Sequence, residues 1–319
     1  MHHQVVDLSG YLDFLEVWAE RARGEIIDFT KIPDDWSHTP GRFFPSLNRK
    51  STVPTPPPGF KVLPASPSEG PPFSPAEVTR WKFTKSAVER LKNDFSPSSK
   101  DHNKSDLWIS SGDALAALSW GVITRARKNT NLPRSQVFGG SSLESQIETL
   151  AMAADGRDRS PQGNMLNRQY FGNFNILPII TVSRSDLLSL TCESASRVAL
   201  AIRNALKLEL SSEAIADKIS FMEDPQNAKP FGRIAWTADV ALTNWCRFDL
   251  EGAKFDFGWG KPFCATAGSG GLFPPGYVVL IQDKSSGDVF IMMTVEQGGL
   301  EGLTADSLLN KYATLVTDH

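Results

Sequence analysis

Residues 276–296 read GYVVLIQDKSSGDVFIMMTVE. Two apolar runs flank Lys284-Ser285-Ser286-Gly287-Asp288, and this pattern predicts a β-hairpin. Downstream, LTADSLLNKYATLV (303–316) predicts a closing helix with Thr304 as N-cap. Upstream, LTNWCRF (242–248) reads as a strand whose Thr243 and Trp245 point to the same side, toward either a pocket or the core. Residues 211–223 predict a helix, and residues 185–208 a long helix or a helix pair. SQIETLAMAADGR (145–157) and FGNFNILPIITVSR (171–184) read as strands. DLWISSGDALAALSWGVITRAR (106–127) predicts a helix capped by Ser110 or Ser111, with Asp113 in its first turn and Arg125 and Arg127 in its last. TRWKFTKSAVERLKNDF (79–95) predicts a short strand, then a helix capped by Thr84 with Val88 and Leu91 inward. This order of elements points to an α/β protein with largely mixed sheets.

Toward the N-terminus the pattern changes. From Pro33 to about Pro75 the chain is dense in proline, which predicts a long extended connection without helix or strand. Phe43, Phe44, Phe60 and Phe73 favour its lying on a folded surface. Residues 8–23 predict a helix with Leu8, Tyr11, Leu15 and Trp18 inward and Asp7 or Ser9 as N-cap. Before it stand His2, His3 and, four residues after His3, Asp7. Two histidines after Met1 read as a tag start; a histidine at a loop–helix junction also reads as a general base, its ordinary pKa lying near neutrality.

Composition narrows the function classes. The chain has 319 residues, enough for a sizeable core and more than one domain or one large one. Lys+Arg 33 against Asp+Glu 36 gives a net charge of -3, which argues against nucleic acid or an anionic membrane as partner. No apolar run is long enough to span a bilayer. Cys192, Cys246 and Cys264 are too few and scattered for a disulfide framework or a zinc site, and are expected as small core residues in a reducing compartment. His38 and His102 are isolated and expected on the surface, so no metal site is expected. AGSGGLFPPG (267–276) lacks the Lys of a phosphate-binding loop.

Three further stretches bear on chemistry. DFGWG (256–260) predicts a tight turn with close backbone approach and a buried Trp. DGRDR (155–159) offers two arginines for a buried carboxylate, or a self-neutralising surface cluster. YFGN (170–173) reads as a Gly turn between strands.

Taken together and in this order, His2-His3-x-x-x-Asp7, YFGN, LTNW and DFGWG resemble the BAHD-type acyl-CoA-dependent acyltransferases. Residues 105–120 and the 276–296 hairpin are similar to the fungal, trichothecene 3-O-acetyltransferase-like branch. The resemblance implies two similarly built chloramphenicol acetyltransferase-like α/β domains with a channel between them. Residues 1–37 are then the tail of an incomplete first domain, 38–80 the crossover loop and 81–319 the second domain. It implies His3 as general base, Asp7 paired with Arg157 (Arg159 in reserve) and Thr243 at the tetrahedral oxyanion. It further implies Trp245 beside the substrate and Asp256, Gly258, Trp259 and Gly260 as structural support. Lys85, Ser86, Ser110 and Ser111 are the candidates for CoA phosphates. The expected co-substrate is acyl-CoA, acetyl-CoA first, with no permanently bound cofactor. The expected acceptor is a secondary-metabolite hydroxyl or an amine, and the expected form a cytoplasmic monomer. Family members carry a large segment before the HHxxxD motif that is absent here, so the alternative expectation is a catalytically impaired remnant that binds a small molecule or partner.

Overall fold

The computed structural model describes residues 3, 5–29, 43–44, 56–57, 59–63, 76–97, 107–128, 146–160, 170–224, 233–267 and 273–317. Their strands are β1 (Phe60–Leu63), β2 (Ala76–Phe83), β3 (Ile147–Asp155), β4 (Asn175–Ile176), β5 (Ile179–Ser183), β6 (Arg233–Trp236), β7 (Val240–Asn244), β8 (Tyr277–Gln282), β9 (Val289–Glu296) and β10 (Thr314–Leu315). Their helices are α1 (Leu8–Ala22), α2 (Lys85–Phe95), α3 (Ser111–Lys128), α4 (Arg184–Leu188), α5 (Cys192–Glu209), α6 (Ser212–Glu223), α7 (Leu300–Thr304) and α8 (Ser307–Asn310).

Eight strands form one sheet in the order β10-β2-β9-β8-β7-β3-β4, with β5 also paired to β3. β7 runs parallel to both β3 and β8, and the other pairings are antiparallel. The sheet is therefore mixed, as the order of the elements implied. The hairpin itself is β8–β9, registered from Val278 opposite Met293 to Gln282 opposite Val289. Its turn closes because the Asp283 carboxylate accepts from Ser285 and Ser286.

Helix α3 is the hub, buried along almost its whole length, with Leu118, Trp120, Val122 and Ile123 at or near zero exposure. It starts where Ser110 and Asp113 cap each other reciprocally, at 2.6 and 3.2 Å. Its last turn does more than complement the helix dipole. Arg125 pairs with Asp306 at 2.6 Å and the buried Arg127 with Glu296 at 2.9 Å, joining the helix to α8 and β9. Around it pack Trp81, Phe83, Leu91 and Phe95, all essentially sealed from solvent. Each such side chain contributes roughly 1.5–3 kcal/mol of burial free energy.

Several expectations need correction. The proline-rich stretch does contain a strand: Phe60–Leu63 carries no proline and pairs with β6 in a separate two-stranded ribbon. Phe43, Phe44 and Phe60 are buried, while Phe73, His2, His38 and His102 lie outside the described residues. Residues 185–208 resolve into the pair α4 and α5, and Pro178 separates β4 from β5. The closing helix breaks in two because Asp306, not Thr304, is the N-cap; it accepts from the Leu309 amide. Thr304 instead ends α7, its hydroxyl donating back to the Leu300 carbonyl. Helix α1 buries Gly10, Leu12 and Ala19, while Trp18 is 55% exposed. Its roll follows the anchoring of Asp7 rather than the apolar stripe. Cys264 is exposed and Cys192 and Cys246 half-buried, so none is a fully buried core thiol.

Candidate active site

The site begins at the C-terminal end of β3. There Asp155 accepts from the Arg157 amide at 2.9 Å and from its guanidinium at 3.1 Å, which folds 157–159 into a single 3-10 turn. Arg157 is fully buried and grips Asp7 with both terminal nitrogens, at 2.9 and 3.0 Å. It also donates to the Gly172 carbonyl at 2.8 Å and lies over the Tyr170 ring. Asp7 answers with both oxygens. It caps α1 through the Gly10 amide at 3.1 Å and takes the Phe174 amide at 2.7 Å. Every lone-pair direction of this buried carboxylate is thus occupied, the condition for a buried charge pair to persist. Arg159 makes no such contact; it is exposed, and its carbonyl accepts from Ser212.

This anchor fixes the loop that carries His3. Asn173 donates to the His3 carbonyl at 2.7 Å, and the exposed imidazole borders an open cleft of about 980 Å³. The cleft lies at the C-terminal ends of β3 and β7, and Thr243 and Trp245 line it together with His3. Thr243 and Trp245 face the same way, as their alternation implied, and they face the cleft. The Trp245 indole donates to the Thr243 hydroxyl oxygen at 2.9 Å. With that oxygen occupied as acceptor, the hydroxyl proton of Thr243 is left to donate elsewhere.

Charges ring one edge. Arg247 pairs with Asp155 and, at 3.7 Å, with Asp158. Burial by itself raises the Asp155 carboxyl, but Arg157 and Arg247 outweigh it and hold the group below the usual carboxylate range. Burial pushes the Cys246 thiol, also on the cleft, up to about 11.

The DFGWG segment lies outside the lining of the cleft. Asp256 accepts from the amides of Gly258 and Gly260 at 2.7 and 2.9 Å, which keeps its carboxyl below the ordinary range. Both glycines have left-handed φ, +103° and +100°. A Cβ on either would meet open space, so the expected close backbone approach is corrected to a requirement for φ alone. Trp259 is 93% exposed and stacks on Phe257, so the expected buried anchor is corrected too. This segment clasps α1: Arg23 donates to the Asp256 carbonyl, Lys254 pairs with Glu16 at 3.0 Å, and Trp18 meets Phe257 edge-on.

The four phosphate candidates do not line the cleft. The Lys85 amide donates to Asp288, and Ser86 shares a hydrogen bond with Thr84. Ser110 is engaged by Asp113 and Arg203, and Ser111 opens α3. Asn173 and Arg247 were not singled out from the sequence for these contacts; a polar residue in YFGN was the available hint for the first. Among the described residues no cluster of His, Cys, Asp and Glu is suited to a metal ion, and no helix is long and apolar enough to cross a membrane.

Comparison with known proteins adds a frame. The Transferase family matches residues 1–308. Shikimate O-hydroxycinnamoyltransferase of Nicotiana tabacum is 28% identical over 85% of this chain and 57% of its own length. The O-acetyltransferase dmxR13 of Cryptosporiopsis sp. is 25% identical over 98% of this chain and 65% of its own. The chain therefore spans less than two thirds of the length of these relatives. Among solved structures, TRI101 of F. sporotrichioides, complexed with coenzyme A and T-2, superposes with a TM-score of 0.73. It is 19% identical, over 99% of this chain and 66% of that one. Vinorine synthase gives a TM-score of 0.60 at 17% identity, over 97% of this chain and 61% of that one. These two likenesses establish the mixed α/β acyltransferase fold.

Proposed function

Because the chain belongs to the Transferase family, the BAHD-type acyltransferases, we propose that it transfers an acyl group from acyl-CoA to a hydroxyl, or an amine, of a small molecule. The observation that carries this reading is the shared cleft, with His3 on the loop anchored by Asp7–Arg157 and Thr243 at the end of β7. In the proposed ternary complex His3 takes the acceptor's proton as its oxygen attacks the thioester carbonyl. The new C–O bond leaves a tetrahedral oxyanion, to which the free Thr243 proton donates. Collapse breaks the C–S bond, and the imidazolium returns its proton to the departing thiolate of CoA. Asp7 takes no proton in this scheme; it holds the loop. Trp245 sets the direction of the Thr243 donor and borders the substrate.

Coenzyme A in the TRI101 complex supports acyl-CoA as co-substrate. Acetyl-CoA is the donor we favour, on the likeness to O-acetyltransferases, and a secondary-metabolite alcohol the acceptor. We propose a cytoplasmic monomer whose residues 1–37 belong to one acyltransferase domain and 81–319 to the other, joined by 38–80. The test is CoA release from acetyl-CoA and a hydroxycinnamoyl-CoA across a panel of alcohols and amines, with His3→Ala alongside. Loss of His3 should lower turnover by about 10²–10⁴. Turnover unchanged in His3→Ala would remove His3 from the chemistry. Binding of CoA without turnover in any pairing would favour the alternative, a small-molecule-binding remnant.

A further inference from the structure

The tripeptide Gly172-Asn173-Phe174 holds both ends of the His3–Asp7 loop. The Phe174 amide and the Gly172 carbonyl engage Asp7, directly and through Arg157. Asn173 engages the other end, donating from Nδ2 to the His3 carbonyl at 2.7 Å. Among the described residues this is the sole hydrogen bond to His3. Its platform is packed and hydrogen-bonded: the Tyr170 hydroxyl donates to the Asn173 carbonyl at 3.3 Å, and Tyr170 and Phe174 pack edge-on at 5.6 Å.

The rest of the Asn173 carboxamide is unusual. Its Oδ1 is buried and has no hydrogen-bond partner. An acceptor buried unpaired costs free energy, so the side chain is not held by a polar network of its own. The single polar bond it makes is spent on the backbone of the residue proposed to move the proton.

We infer that Asn173 is a positioning residue that sets the reach of His3 into the cleft. The inference rests on the reading of His3 as general base. Without the Nδ2 tether, His3 is connected to the Asp7 anchor only through residues 4–6, and its ring is free to drift from the Thr243 side of the cleft. A displacement of about 1 Å is enough to lower a proton-transfer rate on the order of 100-fold. Substrate affinity, set by the rest of the cleft, is unaffected.

Two variants of the whole chain test this. Asn173→Ala removes the tether. Asn173→Asp keeps the shape but replaces the donor by a carboxylate that repels the His3 carbonyl. Hydrogen exchange followed by mass spectrometry should show peptides spanning residues 3–7 exchanging at least roughly tenfold faster in both variants, with β3 and β8 unchanged. Unchanged exchange at 3–7 overturns the inference whether or not the chain turns over. In the turnover assay, kcat should fall about 10- to 100-fold with KM within about twofold, a split that a general loss of fold does not give. Faster exchange with kcat unchanged also overturns it. The reading of His3 fails separately, by full activity of His3→Ala or by absence of turnover in the unaltered chain; exchange then decides alone whether Asn173 holds the loop.

Discussion

Replacing Asp7 by alanine removes more than a charge. Arg157 is fully buried and has five acceptors: two Asp7 oxygens, Asp155, and the carbonyls of Gly172 and Tyr170. The change strips two of them and leaves Asp155, already shared with Arg247, as the remaining carboxylate. Breaking a buried ion pair on one side costs about 3–5 kcal/mol. The Gly10 amide loses its cap, worth about 1 kcal/mol, and the buried Phe174 amide loses its acceptor, worth about 1–3 kcal/mol. These contributions overlap, so a net loss of roughly 4–6 kcal/mol is expected, a large share of the 5–15 kcal/mol typical of a folded chain. Asp7→Asn keeps the shape but only one of these two acceptors, because its NH2 must replace the oxygen facing either the Gly10 or the Phe174 amide, and should cost about 3–5 kcal/mol. Asp7→Ala with Arg157→Met leaves no unpaired buried charge and should be more stable than Asp7→Ala alone. Urea unfolding followed by tryptophan fluorescence measures all three. A loss below about 1 kcal/mol in Asp7→Ala, or strict additivity in the double variant, would refute the account of the loop as anchored by this pair.

Three further outcomes follow from the site and its surroundings. Asp155 is held below its ordinary pKa, so the stability it contributes is complete above the unfolded-state value near 4 and is lost as pH falls through the folded value; the melting-temperature gap between the unaltered chain and Arg247→Ala should therefore be constant above about pH 5 and narrow below about 4. Cys264 is exposed whereas the thiol of Cys246 is pushed up to about 11, so iodoacetamide at neutral pH should label Cys264 first and Cys246 slowest, as peptide mapping will read. Trp259→Ala should change stability by no more than about 0.5 kcal/mol, while Gly260→Ala, forced to a left-handed φ of +100°, should cost roughly 1–2 kcal/mol in the same urea assay.

Local chemistry was legible in the sequence, and distant partners largely were not. Thr84, Ser110 and the Lys284–Asp288 turn act through neighbours three or four residues away, and they read correctly. Thr243 and Trp245 were correctly paired on one side of a strand, but whether that side met core or cleft depended on β3 and α1. Arg157 was legible as one of two arginines suited to a buried carboxylate, but its pairing with Asp7 came only through a resemblance, since that partner lies 150 residues away. Trp259 misled because a large aromatic between glycines resembles an anchor, whereas its turn is built by the Asp256 carboxylate and leaves the ring outside. The β1–β6 ribbon was hidden by the prolines around it, and the roll of α1 by a polar anchor that outweighs its apolar stripe. Asn173 was invisible as a tether, because its partner is a backbone carbonyl and any residue would offer one.

The distance between Asp7 and Arg157 also has a meaning in time. During synthesis the loop that bears His3 leaves the ribosome well before its partner, since the guanidinium that locks it is added 150 residues later. At about 5–20 residues per second, that interval is roughly 8–30 s. Throughout it α1 has neither Arg157 nor the 254–257 clasp, and Phe14, Trp18, Ile26 and Phe29 remain exposed even in the folded chain. A helix made early is therefore secured late, and the newborn chain stays open to chaperones and proteases along the segment that carries the proposed base.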